Sequence, residues 1–254
     1  MMNILDQILD VKRQEMARMV PSFVIEKFDH ARSLKDALSA PEISIIAEIK
    51  MKSPIEGNIL PNADPVQIAK DFEATGAAAI SVLTDEQFFG GSIDILKDVR
   101  AAVSIPVLRK DFIINDCQIT ETGSAMADAF LLIAEALTEE DLCSFMNYGN
   151  EIGLESLVEF HSEDNADVVA ALNPDIVGVN CRDLKTMTTD INYFERMFSS
   201  LPSNSIKVAE SGIYTSDDIK YISDLGYDGA LIGTSLMKTG NPGNALEELI
   251  GGLS

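Results

Sequence analysis

Residues 43–54 read ISIIAEIKMKSP, an apolar run (Ile43-Ser44-Ile45-Ile46-Ala47) that ends in Glu48, Lys50 and Lys52. Alternate residues of a strand share a face, so Glu48 and Lys50 project to one side at the strand's C-terminal end. An acid and an amine after a buried β run do little for a core, because Lys and Glu are rarely buried unless paired. The plain structural reading is a strand-end ion pair. The functional reading is a site, and it gains weight because the same design recurs along the chain.

From Ile43 onward, short apolar runs rich in β-branched residues alternate with longer amphipathic segments. The runs are Ile43–Ile49, Ala78–Leu83, Pro106–Arg109, Ala129–Ile133, Leu154–Phe160, Asp175–Val179, Ile206–Ala209 and Gly229–Ile232. Helical patterns fall near Pro65–Ala74, Ile93–Val103, Asp116–Met126, Glu139–Glu151, Ser162–Leu172, Tyr193–Ser200, Ser216–Leu225 and Asn244–Leu249. Parallel strands buried on both faces read as short continuous apolar runs. Strand–helix alternation argues for a parallel sheet, and eight units between residues 43 and 250 argue for a closed barrel. Gly76 and Pro106 stand just before strands, as helix stops and turns do. The expected fold is a single (β/α)8 TIM barrel of class α/β over 1–254, with residues 1–42 as a helical leader packed on it. In the leader, Ile4, Leu5, Ile8, Leu9, Met16 and Met19 recur at helical spacing until Pro21 interrupts. A second helical piece covers Leu34–Leu38, and the leader can lid one barrel mouth.

The bulk numbers narrow the function. A chain of 254 residues fits one barrel, which typically runs ~250 residues. A net charge of -22 argues against nucleic acid and anionic membrane surfaces as partners. No apolar run approaches the ~18 residues of a membrane span. Cys117, Cys143 and Cys181 are far apart and odd in number, with no CxxC spacing, so neither a disulfide framework nor a zinc site is indicated. A cytoplasmic location fits that cysteine usage. With only His30 and His161 as histidines, multi-His metal sites are excluded, and acid–base work falls to Lys, Glu and Asp. The expected state is a monomer or weak homo-oligomer.

Barrel chemistry sits at the C-terminal ends of the strands. Those ends carry Glu48, Lys50 and Lys52; Thr84-Asp85-Glu86 with Phe88-Phe89-Gly90-Gly91; Arg109-Lys110-Asp111-Phe112; Glu159 and His161; Asn180-Cys181-Arg182-Asp183; Glu210-Ser211-Gly212; and Gly233-Thr234-Ser235. Five of the 19 basic residues (Lys50, Lys52, Arg109, Lys110, Arg182) fall there, which predicts a local positive well for an anion. Arg109 and Lys110 are neighbours, so one faces the barrel mouth and the other the helices. Ser211-Gly212 and Gly233-Thr234-Ser235 follow strands seven and eight, where barrels often bind phosphate, and Thr234–Met237 can form the short extra helix. Either one alone reads first as an ordinary turn with Gly for φ > 0, whereas the pair at these two strands favours phosphate. Gly90-Gly91 reads as a turn; Phe88 and Phe89 either wall a pocket or pack. Lys50, Lys110, Glu48, Glu159 and Glu210 are the acid–base candidates. A lysine beside other cations and partly desolvated has a depressed pKa and can act as a general acid near neutrality. His161 reads as rim or support.

Laid out in order, IAEIKMKSP (46–54), SVLTDEQFFGGS (81–92), PVLRKDFII (106–114), LLIAEALT (131–138), LVEFH (157–161), GVNCRDLKT (178–186), VAESGI (208–213) and LIGTSLM (231–237) resemble the indole-3-glycerol phosphate synthase family over nearly the whole chain. The resemblance implies a phosphorylated small-molecule substrate, 1-(2-carboxyphenylamino)-1-deoxyribulose 5-phosphate, closed to an indole with loss of CO2 and water. It implies no metal and no organic cofactor. It casts Lys110 as general acid for ring closure, Glu159 as acid–base partner, Lys50 as a second essential lysine and Glu48 as the group that orients the lysines. It gives Asn180, Arg182, Glu210 and Ser211 the positioning of substrate, and Ser53 a share in holding its anionic groups. Gly212, Gly233 and Thr234 hold phosphate, while Phe89, Phe112, Leu131, Leu184 and Leu231 line the aromatic pocket. The chain departs from the family pattern at Cys181, where a second Asn is common. It departs again at Ile55-Glu56 after Ser53-Pro54, and at Thr234, often a Glu. Two rivals stay open: another phosphate-binding barrel such as a sugar-phosphate isomerase, or a non-catalytic phosphate-ligand binding barrel.

Overall fold

The computed structural model describes residues 3–19, 27–183 and 187–253. Eight strands, β1 (Ser44–Ile49), β2 (Ala79–Leu83), β3 (Val107–Lys110), β4 (Ala129–Ile133), β5 (Glu155–Phe160), β6 (Ile176–Asn180), β7 (Ile206–Glu210) and β8 (Gly229–Ile232), pair in parallel, each with the next. The barrel closes where β8 pairs with β1, with Ser44 opposite Gly229 and Ala47 opposite Ile232. Every predicted strand is present with ends shifted by one residue at most, because each apolar run is buried on both faces.

Alternation along the strands sorts two cores. Ile46, Leu108, Leu131, Leu157, Val208 and Leu231 point into the barrel. Ile45, Ala47, Val107, Phe130, Val158 and Ala209 point out against the helices. The parity of the inward set carries on past the apolar layer. Two residues beyond Ile46 lies Glu48, beyond Leu108 lies Lys110, beyond Leu157 lies Glu159, and beyond Val208 lies Glu210. The hydrophobic register of the barrel therefore aims these side chains into its mouth.

The leader touches both ends of the barrel. Leu34 and Leu38, in and just after helix α2 (Leu34–Ala37), are fully buried in the inner core. The N-cap Ser33 hydroxyl and the Lys35 amide donate to the Glu155 carboxylate at 2.7 and 2.9 Å, and Lys35 pairs with Asp175, so α2 floors the N-terminal mouth. Helix α1 (Ile4–Met16) lies at the opposite end. Its Leu5, Ile8 and Leu9 join the inner core, and Lys12 ion-pairs at 3.0 Å with both Asp85 and Asp111, beyond β2 and β3. No helix among the described residues is long and apolar enough to cross a membrane.

Candidate active site

One cleft opens at the C-terminal ends of the strands. All the predicted site residues line it except Leu184, which lies outside the described residues. Glu48, Lys50, Lys110, Glu159, Asn180, Arg182 and Glu210 come from five strand ends and meet in this space.

Lys110 stands between two acids. Its Nζ donates to Glu159 Oε2 at 2.8 Å and lies 3.3 Å from Glu210 Oε2. The other Glu159 oxygen accepts from Asn180 Nδ2 at 2.8 Å. Lys50 Nζ donates to Glu48 Oε1 at 2.6 Å. Two glycines make room for the carboxylates. A Cβ at Gly178 would sit 2.2 Å from Glu210 Oε1, and one at Gly233 would sit 2.3 Å from Glu48 Oε1.

The electrostatics correct the sequence expectation for Lys110. Among the described residues, the charged groups that act on it most are acids, not cations. Burial works to lower the pKa but is outweighed by Glu159, Glu210 and Glu48, which hold the ammonium well above its ordinary value. Glu159 is held below the ordinary carboxylate range: burial opposes this, and Lys110 and the Asn180 amide overcome it. Glu210 goes the other way, raised first by burial and then by the Glu159 charge. Its Oε1 is buried without a hydrogen-bond partner, and of the two acids Glu210 holds a proton the more tightly.

The predicted positive well is also compensated. Arg109 faces outward, donating to Thr84 Oγ1, the Gln118 carbonyl and Asp111 at 2.9–3.1 Å. Lys52 donates to the Gln87 carbonyl at 2.9 Å and does not line the cleft. That leaves Lys50, Lys110 and Arg182 in the cleft beside the carboxyl groups of Glu48, Asp111, Glu159 and Glu210.

The apolar wall is built around Phe89 and Phe112, whose rings lie 6.0 Å apart, with Leu131 and Leu231 beneath. Phe88 packs against the inner core and does not line the cleft. Gly90, in the left-handed region (φ 67°), ends the short helix Glu86–Phe89, so the Gly pair is a turn.

At the far end, Ser211 (φ 71°) and Gly212 (φ 68°) are two successive left-handed residues after β7. Cys181 Sγ lies behind them and donates to the Ser211 carbonyl at 3.3 Å. Gly233 opens the predicted extra helix, Thr234–Met237, and Ser235 Oγ ties it to the Ile213 carbonyl at 2.9 Å. Over the mouth, Lys52–Ser53 and Gly57–Asn58 form a small antiparallel hairpin. Ser53 Oγ accepts the Glu56 amide at 3.0 Å, and the Glu56 carboxylate pairs with Lys238 at 2.7 Å.

The sequence reading missed Leu83, Ile133, Met187 and Tyr214 as lining residues. Leu83 and Ile133 share the inward parity of their strands and were open to the same argument. Met187 and Tyr214 come from loops, where no period exists to find them.

Comparison with known proteins decides the family. The sequence pattern of indole-3-glycerol phosphate synthase matches residues 5–249. The chain belongs to the indole-3-glycerol phosphate synthase family. The indole-3-glycerol phosphate synthase of Halalkalibacterium halodurans is 44% identical over 98% of this chain and 97% of its own length. That of Mycolicibacterium gilvum is 41% identical over 97% of this chain and 93% of its own. Among solved structures, a chain of the tryptophan synthase complex from Pyrococcus furiosus superposes with a TM-score of 0.61. It is 14% identical and covers 82% of this chain and 98% of its own, which speaks for the shared barrel alone.

Proposed function

We propose that this enzyme is an indole-3-glycerol phosphate synthase, converting 1-(2-carboxyphenylamino)-1-deoxyribulose 5-phosphate to indole-3-glycerol phosphate, CO2 and water. The observation that carries the reading is the buried Lys110–Glu159–Glu210 cluster between an aromatic wall and the Ser211-Gly212 and Gly233 turns. Family membership names the reaction, and the cleft supplies groups suited to each of its steps.

Ring closure joins the carboxylate-bearing aryl carbon to the ketone carbon of the sugar. The ketone oxygen gains negative charge as the bond forms and takes a proton. Lys110 is the donor, held as an ammonium by its acidic neighbours. The ring carboxylate then leaves as CO2, its electron pair restoring the aromatic ring. In the last step the new hydroxyl leaves as water and the adjacent carbon loses a proton. Lys50 protonates the departing hydroxyl, with Glu48 fixing its ammonium. Glu159 takes up the proton, its carboxylate fixed by Asn180. Glu210, Asn180, Arg182, Ser211 and Ser53 position the substrate. The amides of Gly212, Gly233 and Thr234 receive the phosphate, and Phe89, Phe112, Leu131 and Leu231 enclose the aryl ring. Leader and barrel act as one domain, as a monomer or weak homo-oligomer in the cytoplasm, without nucleic acid.

The test follows indole fluorescence when the purified chain meets the carboxyphenylamino-deoxyribulose phosphate. Turnover that inorganic phosphate competes away is the expected result. Binding without turnover would leave a non-catalytic phosphate-ligand barrel. Neither binding nor turnover would mean a different substrate, with sugar phosphates next to try.

A further inference from the structure

Glu159 reaches Lys110 with one carboxylate oxygen while Asn180 holds the other. The Asn180 side chain is itself stretched between two functional groups, since its Oδ1 accepts the Arg182 amide at 3.0 Å. Its placement depends on where the last residue of β6 comes to rest. The group that holds that residue lies outside the cleft. His161, the first residue after β5, bonds through Nδ1 to the Asn180 backbone carbonyl at 2.7 Å. The acceptor is a carbonyl oxygen, so Nδ1 must carry the hydrogen.

His161 is fixed on every other side. Its ring stacks on Tyr193, with centroids 5.0 Å apart and planes 22° apart. The Tyr193 hydroxyl donates to the His161 carbonyl. The His161 amide donates at 2.8 Å to Glu135 Oε1, which also accepts the Ser162 amide at 2.9 Å. Among the described residues, the charged groups facing it are Glu135 and Asp183, whose Oδ1 lies 4.0 Å from Nε2. Burial, then Glu163 and Glu135, push the Tyr193 phenol up to about 12, so it remains a donor at neutral pH.

We propose that His161 is a positioning residue: its Nδ1–H holds the end of β6 so that Asn180 fixes Glu159 on Lys110. The inference rests on the reaction assigned above only for its kinetic arm. A site that moves protons needs such support, because small displacements of its groups are felt in rate.

The experiment compares the full-length native chain with H161N and H161Q. An Asn amide reaches the place of Nδ1–H, whereas a Gln amide reaches that of Nε2. Both lose the ring and its stacking alike. The first readout is the titration of the Glu159 carboxyl in the resting protein by 13C NMR, assigned with E159Q. The second is kcat against KM. H161Q is expected to raise the Glu159 midpoint and to lower kcat about five- to tenfold, the effect of one hydrogen bond. KM stays within about twofold, since the group acts through Glu159. H161N is expected to keep both near native values. Equal behaviour of the two variants, or an unmoved Glu159 midpoint in H161Q, would overturn the proposal.

A native chain that binds no substrate and turns none over sinks the reaction assignment, while the titration still judges His161. A 15N measurement of the His161 tautomer in the native chain needs no variant at all. Hydrogen on Nδ1 is expected, and a bare Nδ1 would contradict the proposal.

Discussion

Glu210 and Glu159 present the same side chain to the same ammonium, yet their surroundings push them apart. Glu159 has two donors, Lys110 and Asn180, and stays ionised. Glu210 has the weaker contact at 3.3 Å and a buried oxygen without a partner, and burial and the Glu159 charge raise its pKa well above the ordinary carboxylate value. Replacing each by glutamine separates the roles. Glu210→Gln removes the acid with the raised pKa and the longer contact, and is expected to change stability by no more than about 1 kcal/mol. Glu159→Gln removes the main partner of a buried ammonium and is expected to cost about 3–5 kcal/mol. Urea denaturation of the two variants side by side checks this, and equal losses would mean that both acids are ionised. The direction of the Lys110 shift was not legible in the sequence for a related reason. Its neighbours along the chain are Arg109 and Asp111, but its neighbours in space come from β5 and β7. Spacing reports the first set and only closure of the barrel reports the second.

At the scale of elements, strands were the most legible part of the chain. An apolar run buried on both faces has few other readings, and the parity it sets reaches up to Glu48, Lys110, Glu159 and Glu210. Helix α1 was legible only on its apolar side. Lys12 looks like one of several surface charges on an amphipathic helix, yet it is buried and bridges Asp85 and Asp111. Both acids lead into the aromatic wall. Asp85 accepts the Phe88 and Phe89 amides at 2.7 and 3.2 Å, and Asp111 accepts the Phe112 amide at 2.8 Å. Lys12→Met leaves the two carboxylates without that partner and is expected to cost about 3–5 kcal/mol in urea denaturation. A loss below about 1 kcal/mol would mean that α1 is held by its apolar contacts alone. The hairpin at Lys52–Ser53 and Gly57–Asn58 was not legible, because two-residue strands carry no period.

For the whole molecule, pH links the buried charges to stability. Glu159 and Asp111 titrate in the folded chain below their ordinary 4.5 and 3.8. The unfolded chain therefore binds their protons first as the medium is acidified. Their contribution is complete above those ordinary values and is lost as pH falls through the depressed native ones. Glu210 has the opposite sign. Its folded value is raised, so its contribution is complete below about 4.5 and is lost as pH rises through the native value. Stability is thus expected to fall in acid through Glu159 and Asp111, and to be lost in part as pH rises above about 4.5 through Glu210, with Glu210→Gln removing that second loss. Urea midpoints measured from about pH 3 to pH 9 check both losses, and a second loss unchanged in that variant would assign it to another group.

The proposed reaction turns on Lys110 as the donor of the proton that closes the ring. The measurement that tests it most directly is a single-turnover assay of indole fluorescence in Lys110→Met beside the native chain, with substrate affinity measured separately on each. The expected result is a fall in the rate of about 10²–10⁴, the usual worth of a general acid, with affinity changed far less. A variant that closes the ring at a rate within about tenfold of native would contradict it and move the acid to another group in the cleft.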